Sequence, residues 1–190
     1  MARAYRYART DLLSCDGDTI MRISRTSKTR SIHWITLLGL LFIASFCRAE
    51  SKCPWLNEAT AGGVLNGPAT LTVHATEDGG NICVFRSQVG TSVYRLQISV
   101  RPIKDESNGI AFYESHCTSP KIALRAIGNE AVLCAANDGS TRGEQVISRV
   151  RNDIFIVCVS ASEAKDRSMS ADLLADRAKI IAEQVAGNLF

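Results

Sequence analysis

His116 and Cys117 are adjacent, the pairing that a cysteine nucleophile with an imidazole base would use. That chemistry needs the base in contact with the thiolate. Neighbours along a chain seldom turn their side chains toward each other, and a cysteine of an exported protein is more often bridged. Asp105-Glu106 offers two carboxyls, as glycoside hydrolysis does, but adjacent residues point apart and cannot flank one bond. At the start of a helix they simply answer the macrodipole. There is no Gly-x-Ser-x-Gly elbow, and no Ser-x-x-Lys with its usual partner motifs. The glycine-rich run Gly62-Gly63-Val-Leu-Asn-Gly67 follows a helix pattern, so it lacks the strand-then-helix setting of a phosphate loop. In Ile127-Gly128-Asn129-Glu130-Ala131, the glycine suits a turn into the next strand. Arg149 and Arg151 share one strand face, and Arg95 and Arg101 another. Joined, those faces could take an anion, though a solvated strand face accounts for them as well. No residue is assigned a catalytic, cofactor-binding or metal-ligating role, and no cofactor is expected.

The elements that must carry any site begin after a leader. Met21 to Arg30 is basic, Trp34 to Phe46 is apolar, and Cys47-Arg48-Ala49 is a cleavage signature. Those three parts make a secretory signal over residues 21–49, cut between Ala49 and Glu50. The apolar run falls short of the ~20 residues of a membrane-spanning helix, so no stable span is expected after cleavage. Phe46 before Cys47 argues against lipid attachment there. Residues 1–20 read as a wrongly chosen start or a disordered extension. The remainder, residues 50–190, has the length of one domain.

Charge follows the same division. Residues 1–49 hold 8 of the 22 Lys+Arg and 3 of the 19 acidic residues, which leaves 14 basic, 16 acidic and a net charge of −2. The basicity of the whole chain belongs to the leader, and no basic cluster suggests nucleic acid. The expected location is periplasmic or secreted.

Within 50–190, Asn57 to Leu65 is a short helix capped by Asn57 and ended by Asn66-Gly67-Pro68. Ala69 to Ala75 alternates as a strand and pairs through Asp78-Gly79-Gly80-Asn81 with Ile82 to Ser87. In Tyr94 to Arg101, Tyr94, Leu96, Ile98 and Val100 face a core. Arg95, Gln97, Ser99 and Arg101 face water. Lys104 to His116 reads as a helix, weakened by Asn108-Gly109. Ala131 to Ala136 is a strand. Gln145 to Arg151 and Ile154 to Ser160 form a hairpin turning at Asn152-Asp153. Ile154 to Val159 is apolar on both faces, so it belongs at the sheet centre. Ser170 caps a last helix whose Leu174, Ala178, Ile181, Val185 and Leu189 form an apolar stripe. Asp176, Arg177, Glu183 and Gln184 take its other side. The sum is α+β, a single antiparallel sheet with helices packed on it and disulfides stabilising it. No internal repeat is visible.

The order Cys53-Pro-Trp-Leu, Asn66-Gly67, Cys83-Val-Phe85, Ile127-Gly128-Asn129-Glu130-Ala131, a valine-rich strand and an amphipathic helix resembles a family. It is that of exported actinobacterial domains of unknown function related to the extracellular sensor domain of a mycobacterial receptor serine/threonine kinase. The resemblance covers most of 53–190. It implies a small one-sheet domain with two disulfides that binds or senses something outside the cell, and it supplies no catalytic residues. The chain departs from it in lacking a lipobox and a kinase segment.

Five cysteines follow the cleavage position: Cys53, Cys83, Cys117, Cys134 and Cys158. No Cys-x-x-Cys occurs among them, which argues against structural zinc. Cys53 is paired with Cys83, fastening the N-terminus to the sheet. Cys117 is paired with Cys134, with Cys134–Cys158 as the rival. A strand between the latter two would hold them about 9–10 Å apart, beyond bridging distance. Cys158 is then a free thiol buried in the most apolar strand.

The expected function is a non-enzymatic ligand-binding or sensor-like domain. Its partner would be an unknown small molecule or extracellular protein. The alternatives are a small secreted hydrolase or redox enzyme with an unrecognised site, and a secreted structural or inhibitory protein.

Overall fold

This computed structural model describes residues 52–77, 79–103, 109–115, 117–136, 141–162 and 170–190. The extension 1–20, the leader, the Ala49–Glu50 junction, Asp105-Glu106 and His116 lie outside the described residues.

Asn57 caps α1 (Glu58–Val64), its side chain accepting from Thr60 N at 2.8 Å. Three strands follow: β1 (Ala69–Ala75), β2 (Asn81–Val89) and β3 (Ser92–Pro102). Then come α2 (Ile110–Glu114), β4 (Thr118–Leu124), β5 (Glu130–Ala135), β6 (Thr141–Val150), β7 (Asp153–Ser162) and α3 (Ala171–Leu189). The seven strands form one antiparallel sheet in the order β1-β2-β3-β7-β6-β5-β4. Two meanders therefore meet at β3 and β7.

α1, the segment around Trp55 and α3 cover one sheet face. Cys83, Phe85, Leu96, Ile98, Phe155, Val157 and Val159 pack there under Leu174, Ala178, Ile181 and Val185. Ser170 caps α3 by accepting from Leu173 N at 3.3 Å, as its position before an apolar stripe predicts. β7 is central, as its two apolar faces require. On the opposite face, α2 brings Tyr113 onto Ile147, Ile154 and Cys134.

The sequence expectations need five corrections. The helix expected over Lys104 to His116 is the five-residue α2 within the described residues; Gly109 precedes it and no side chain caps it. β4 was not foreseen. It carries Pro120, which an edge strand tolerates because its outer N–H groups need no partner. The β6–β7 turn is Arg151-Asn152, one residue early, because Val150 pairs with Asp153. The second face of β3 is not wet: Ser99 is buried and Arg95, Gln97 and Arg101 are half-buried. A central strand has covered neighbours on both sides, which alternation alone does not reveal.

The fifth correction concerns cysteine. Cys53–Cys83 and Cys117–Cys134 are bridged, with Cα separations of 5.8 and 5.7 Å. Cys134 and Cys158 are separated by Gln145 of β6, which pairs with both, so the rival bridge is absent. Yet Cys158 is not a free thiol. It takes part in a disulfide.

The sheet also contains a repeat that the sequence conceals. The β2–β3 hairpin closes at Val89↔Ser92 and the β6–β7 hairpin at Val150↔Asp153, 61 residues later. Each turn opens with a left-handed residue, Gly90 (φ 60) and Arg151 (φ 53). The same spacing separates Gly67 from Gly128, Ser87 from Ser148 and Val89 from Val150. A Cβ on Gly67 would lie 2.8 Å from Ser87 Oγ and 2.9 Å from Val89 Cγ2; on Gly128 it would lie 2.6 Å from Ser148 Oγ and 2.9 Å from Val150 Cγ2. At Gly67 the nearest atom is the serine of the neighbouring strand; at Gly128 it is Arg149 O, ahead of Ser148 Oγ, and a φ of 66 also favours glycine there. The helices break the symmetry. α3 stands where α2 stands in the first half, and β4 where α1 stands.

Ile181 of α3 is fully buried against the sheet. Ile181→Ala should cost about 2–5 kcal/mol in a urea melt, and an unchanged midpoint would show that α3 is not docked. Replacing Cys53 and Cys83 together by serine opens a 30-residue loop. The expected loss is about 3 kcal/mol, read in the same assay.

Candidate functional site

α1 lies over β1 and β2 while α3 lies over β6 and β7, so a seam runs between them above β3. Polar ties close it at both ends. Near the sheet end marked by Trp55, Asn188 Nδ2 donates to Trp55 O at 3.1 Å. At the other end, Arg177 of α3 donates to Val64 O, and its Nη2 donates to Asn66 Oδ1 at 2.9 Å. Asn66 can present that oxygen because it turns the chain in a left-handed conformation, φ 60, just after α1.

The second end gathers polar side chains on an otherwise apolar face. The cross-strand row there reads Ala69, Ser87, Tyr94, Ala161, Arg142. The next row reads Leu71, Phe85, Leu96, Val159, Glu144, Ala135. Glu144 is thus a carboxylate set among aliphatic and aromatic neighbours. Asp172 in the first turn of α3 faces it closely enough to interact. Burial raises the Glu144 pKa above its ordinary value, Asp172 raises it further, and Arg142 pulls it partway back. Arg177 is lowered by its own burial, and nearby Tyr94 opposes that shift. Ser87 is 2% exposed, and its Oγ has no hydrogen-bond partner among the described residues. A buried hydroxyl without a partner costs about 1–3 kcal/mol, so it calls for a reason.

The residues singled out in the sequence lie elsewhere. The Cys117 sulfur is bridged and so is no thiolate nucleophile. Gly62 to Gly67 form the end and exit of α1, with Gly67 N donating to Gly62 O at 3.0 Å. Ile127 to Asn129 is a turn stapled to β6. Asn129 N donates to Arg149 O at 2.7 Å, and Asn129 Oδ1 accepts from Arg151 N at 2.8 Å. Arg95, Arg101 and Arg149 do share a face, the one opposite α3. Arg95 Nη2 donates to Gln97 Oε1 at 2.9 Å, and Arg149 Nε lies 2.6 Å from Glu130 Oε1. Arg151 stands apart in the turn, over the Phe190 ring. Among the described residues, no His, Cys, Asp and Glu converge as a metal site. No described helix is long and apolar enough to cross a membrane.

Ser87, Glu144 and Arg177 were missed. Arg177 was placed on the outer side of its helix because a long charged side chain is expected in water. Here its stem runs over the core and its head meets the backbone of α1. Glu144 was legible: the inward alternation Val150, Ser148, Val146 continues back to it once the strand is extended to Thr141. Ser87 looked like an ordinary strand end.

The chain matches no protein-family model and no curated protein. What the site can do therefore rests on its own groups: one hydroxyl without a partner, a phenol, an oriented guanidinium, and two carboxylates that repel.

Glu144 supplies a test by pH. Its folded pKa lies above the unfolded one, so the folded state binds the proton more tightly. Stability is then lost as pH rises from the unfolded pKa through the folded one. Glu144→Gln removes that loss. The stability difference should shift in favour of the variant as pH rises above the ordinary glutamate value of about 4.3. Urea melts across that window whose difference does not move with pH would show that Glu144 is not perturbed by burial.

Proposed function

We propose that this chain is an exported, non-enzymatic domain that binds a ligand outside the cell membrane, in the manner of a sensor module. The observation that carries this reading is the buried Ser87 hydroxyl, which has no hydrogen-bond partner among the described residues and stands opposite Tyr94 on the adjacent strand. Binding sites commonly pair an apolar wall with a few convergent polar groups, and this end of the seam has that composition. The two bridges are compatible with an oxidising extracellular environment. The reading also agrees with the resemblance to exported actinobacterial sensor-like domains, and with cleavage at Ala49–Glu50 of a leader over 21–49. The partner is a small molecule or an extracellular protein; nucleic acid is disfavoured by the net charge of 50–190.

Native mass spectrometry of the protein purified from its own periplasm or culture medium tests this reading. The expected spectrum is a chain that begins Glu50-Ser51-Lys52 and carries a non-covalent mass that unfolding releases. A membrane-bound product still holding residues 1–49 would overturn export. A cleaved chain with no retained mass, and no thermal shift against a metabolite panel, would overturn binding.

A further inference from the structure

We propose that Asn66–Gly67 is a self-modification site, where Asn66 loses its amide through a cyclic imide, and that the tie between α1 and α3 sets the rate of that loss. Asn66 is exposed and stands directly before a glycine at the exit of α1. Gly67 has no Cβ to shield its nitrogen from the Asn66 side chain, and a Cβ placed there would lie 2.8 Å from Ser87 Oγ. The step balances with water as its only co-reactant. Gly67 N gives up its proton and attacks Asn66 Cγ. The bond from Cγ to Nδ2 breaks, and ammonia leaves with that proton as the five-membered imide closes. Water then adds to one of the two imide carbonyls. Opening at the side-chain carbonyl leaves aspartate. Opening at the main-chain carbonyl leaves isoaspartate, whose extra methylene enters the main chain. The net change is one water taken up and one ammonia released.

The folded chain holds both reacting groups in other bonds. Gly67 N donates to Gly62 O at 3.0 Å, so the nucleophile is turned toward α1. Asn66 Oδ1 accepts from Arg177 Nη2 at 2.9 Å, so the electrophile is turned toward α3. Arg177 is anchored in turn on Val64 O. The left-handed backbone of Asn66, φ 60, belongs to the same turn. Ring closure therefore requires a local opening in which the contacts to Gly62 and Arg177 are both released. The observed rate is the intrinsic rate multiplied by the open fraction. Asn66 comes from the first half of the sheet repeat and Arg177 from the second. Loss of the Asn66 amide thus accumulates with the time this end of the seam stands open.

Peptide mapping by mass spectrometry tests the site, on the full exported chain aged at mildly alkaline pH below its melting temperature. The Asn66 peptide should convert to the acid form in urea and much more slowly in the folded chain. Arg177→Ala should speed conversion in the folded chain roughly tenfold, the equivalent of one hydrogen bond to a charged group. Asn188→Ala releases the other tie of α3 and is the control for general loosening. It should lower the melting temperature and leave the Asn66 rate unchanged. Hydrogen exchange at Gly67 N–H in the unmutated chain gives the open fraction without any variant, and the protection of Asn66 should match it. Equal rates in the folded and urea-unfolded chain would overturn the proposal. So would an unchanged rate in folded Arg177→Ala, an equal acceleration in Asn188→Ala, or protection of Asn66 that does not follow Gly67 exchange.

Discussion

The pairing of β3 with β7 is the constraint on which the rest of the molecule depends. It runs from Tyr94↔Ala161 to Pro102↔Asp153 and joins two meanders that otherwise touch only through helices. Strands about 60 residues apart must find each other, so a large loop-closure entropy precedes the reward. What repays it is the row-by-row contact of Leu96 with Val159, Ile98 with Val157 and Val100 with Phe155, all buried beneath α3. Without that junction, α3 would have half a sheet to cover, and the seam above β3 would not exist.

The Cys53–Cys83 and Cys117–Cys134 bridges do not cross this junction. Cys53–Cys83 ties the N-terminal segment to β2, within the first half, and Cys117–Cys134 ties the start of β4 to β5, within the second. Each restricts the unfolded chain locally and stabilises its own half. Beside the β3–β7 ladder, the halves are held by apolar burial and by two ties of α3, Arg177 to the end of α1 and Asn188 to Trp55 O. The sheet edges are defended separately. Leu71 N on β1 donates to Glu58 Oε1 of α1 at 2.8 Å, and β4 carries Pro120 and Lys121. Such devices keep an open antiparallel sheet from extending into a second copy.

Much of this was legible because the local signals agree with the global fold. Asn57 and Ser170 announce helices by their oxygens, Tyr94 to Arg101 alternates as a strand, and Ile154 to Val159 is too apolar to lie at an edge. What stayed hidden has particular causes. β4 escaped because Pro120 breaks the pattern a strand is recognised by. The 61-residue repeat escaped because the two halves share backbone geometry and not side chains: Arg95 corresponds to Ile156, and Cys83 to Glu144. The Gly67–Ser87–Val89 contact, recurring as Gly128–Ser148–Val150, and the buried pair Ser99 and Ser160 preserve it in residue type. Of the polar end of the seam, only Tyr94 was placed correctly, as a core residue. Ser87 and Arg177 acquire meaning from neighbours more than 80 residues away or on another element. No window along the chain brings them together.

The position of that polar end follows from the architecture. Asn66, Ser87 and Tyr94 come from the first half; Glu144, Asp172 and Arg177 come from the second. The junction of the two halves is therefore also the place where polar groups from both meet. A group bound there would touch β2, β3 and α3 at once and add to the union of the halves, so its binding energy would appear as stability of the whole domain. The same logic explains the defects. Glu144 facing Asp172 and an unpartnered Ser87 both weaken the seam at one end, while the opposite end, at Trp55 and Asn188, is apolar and satisfied.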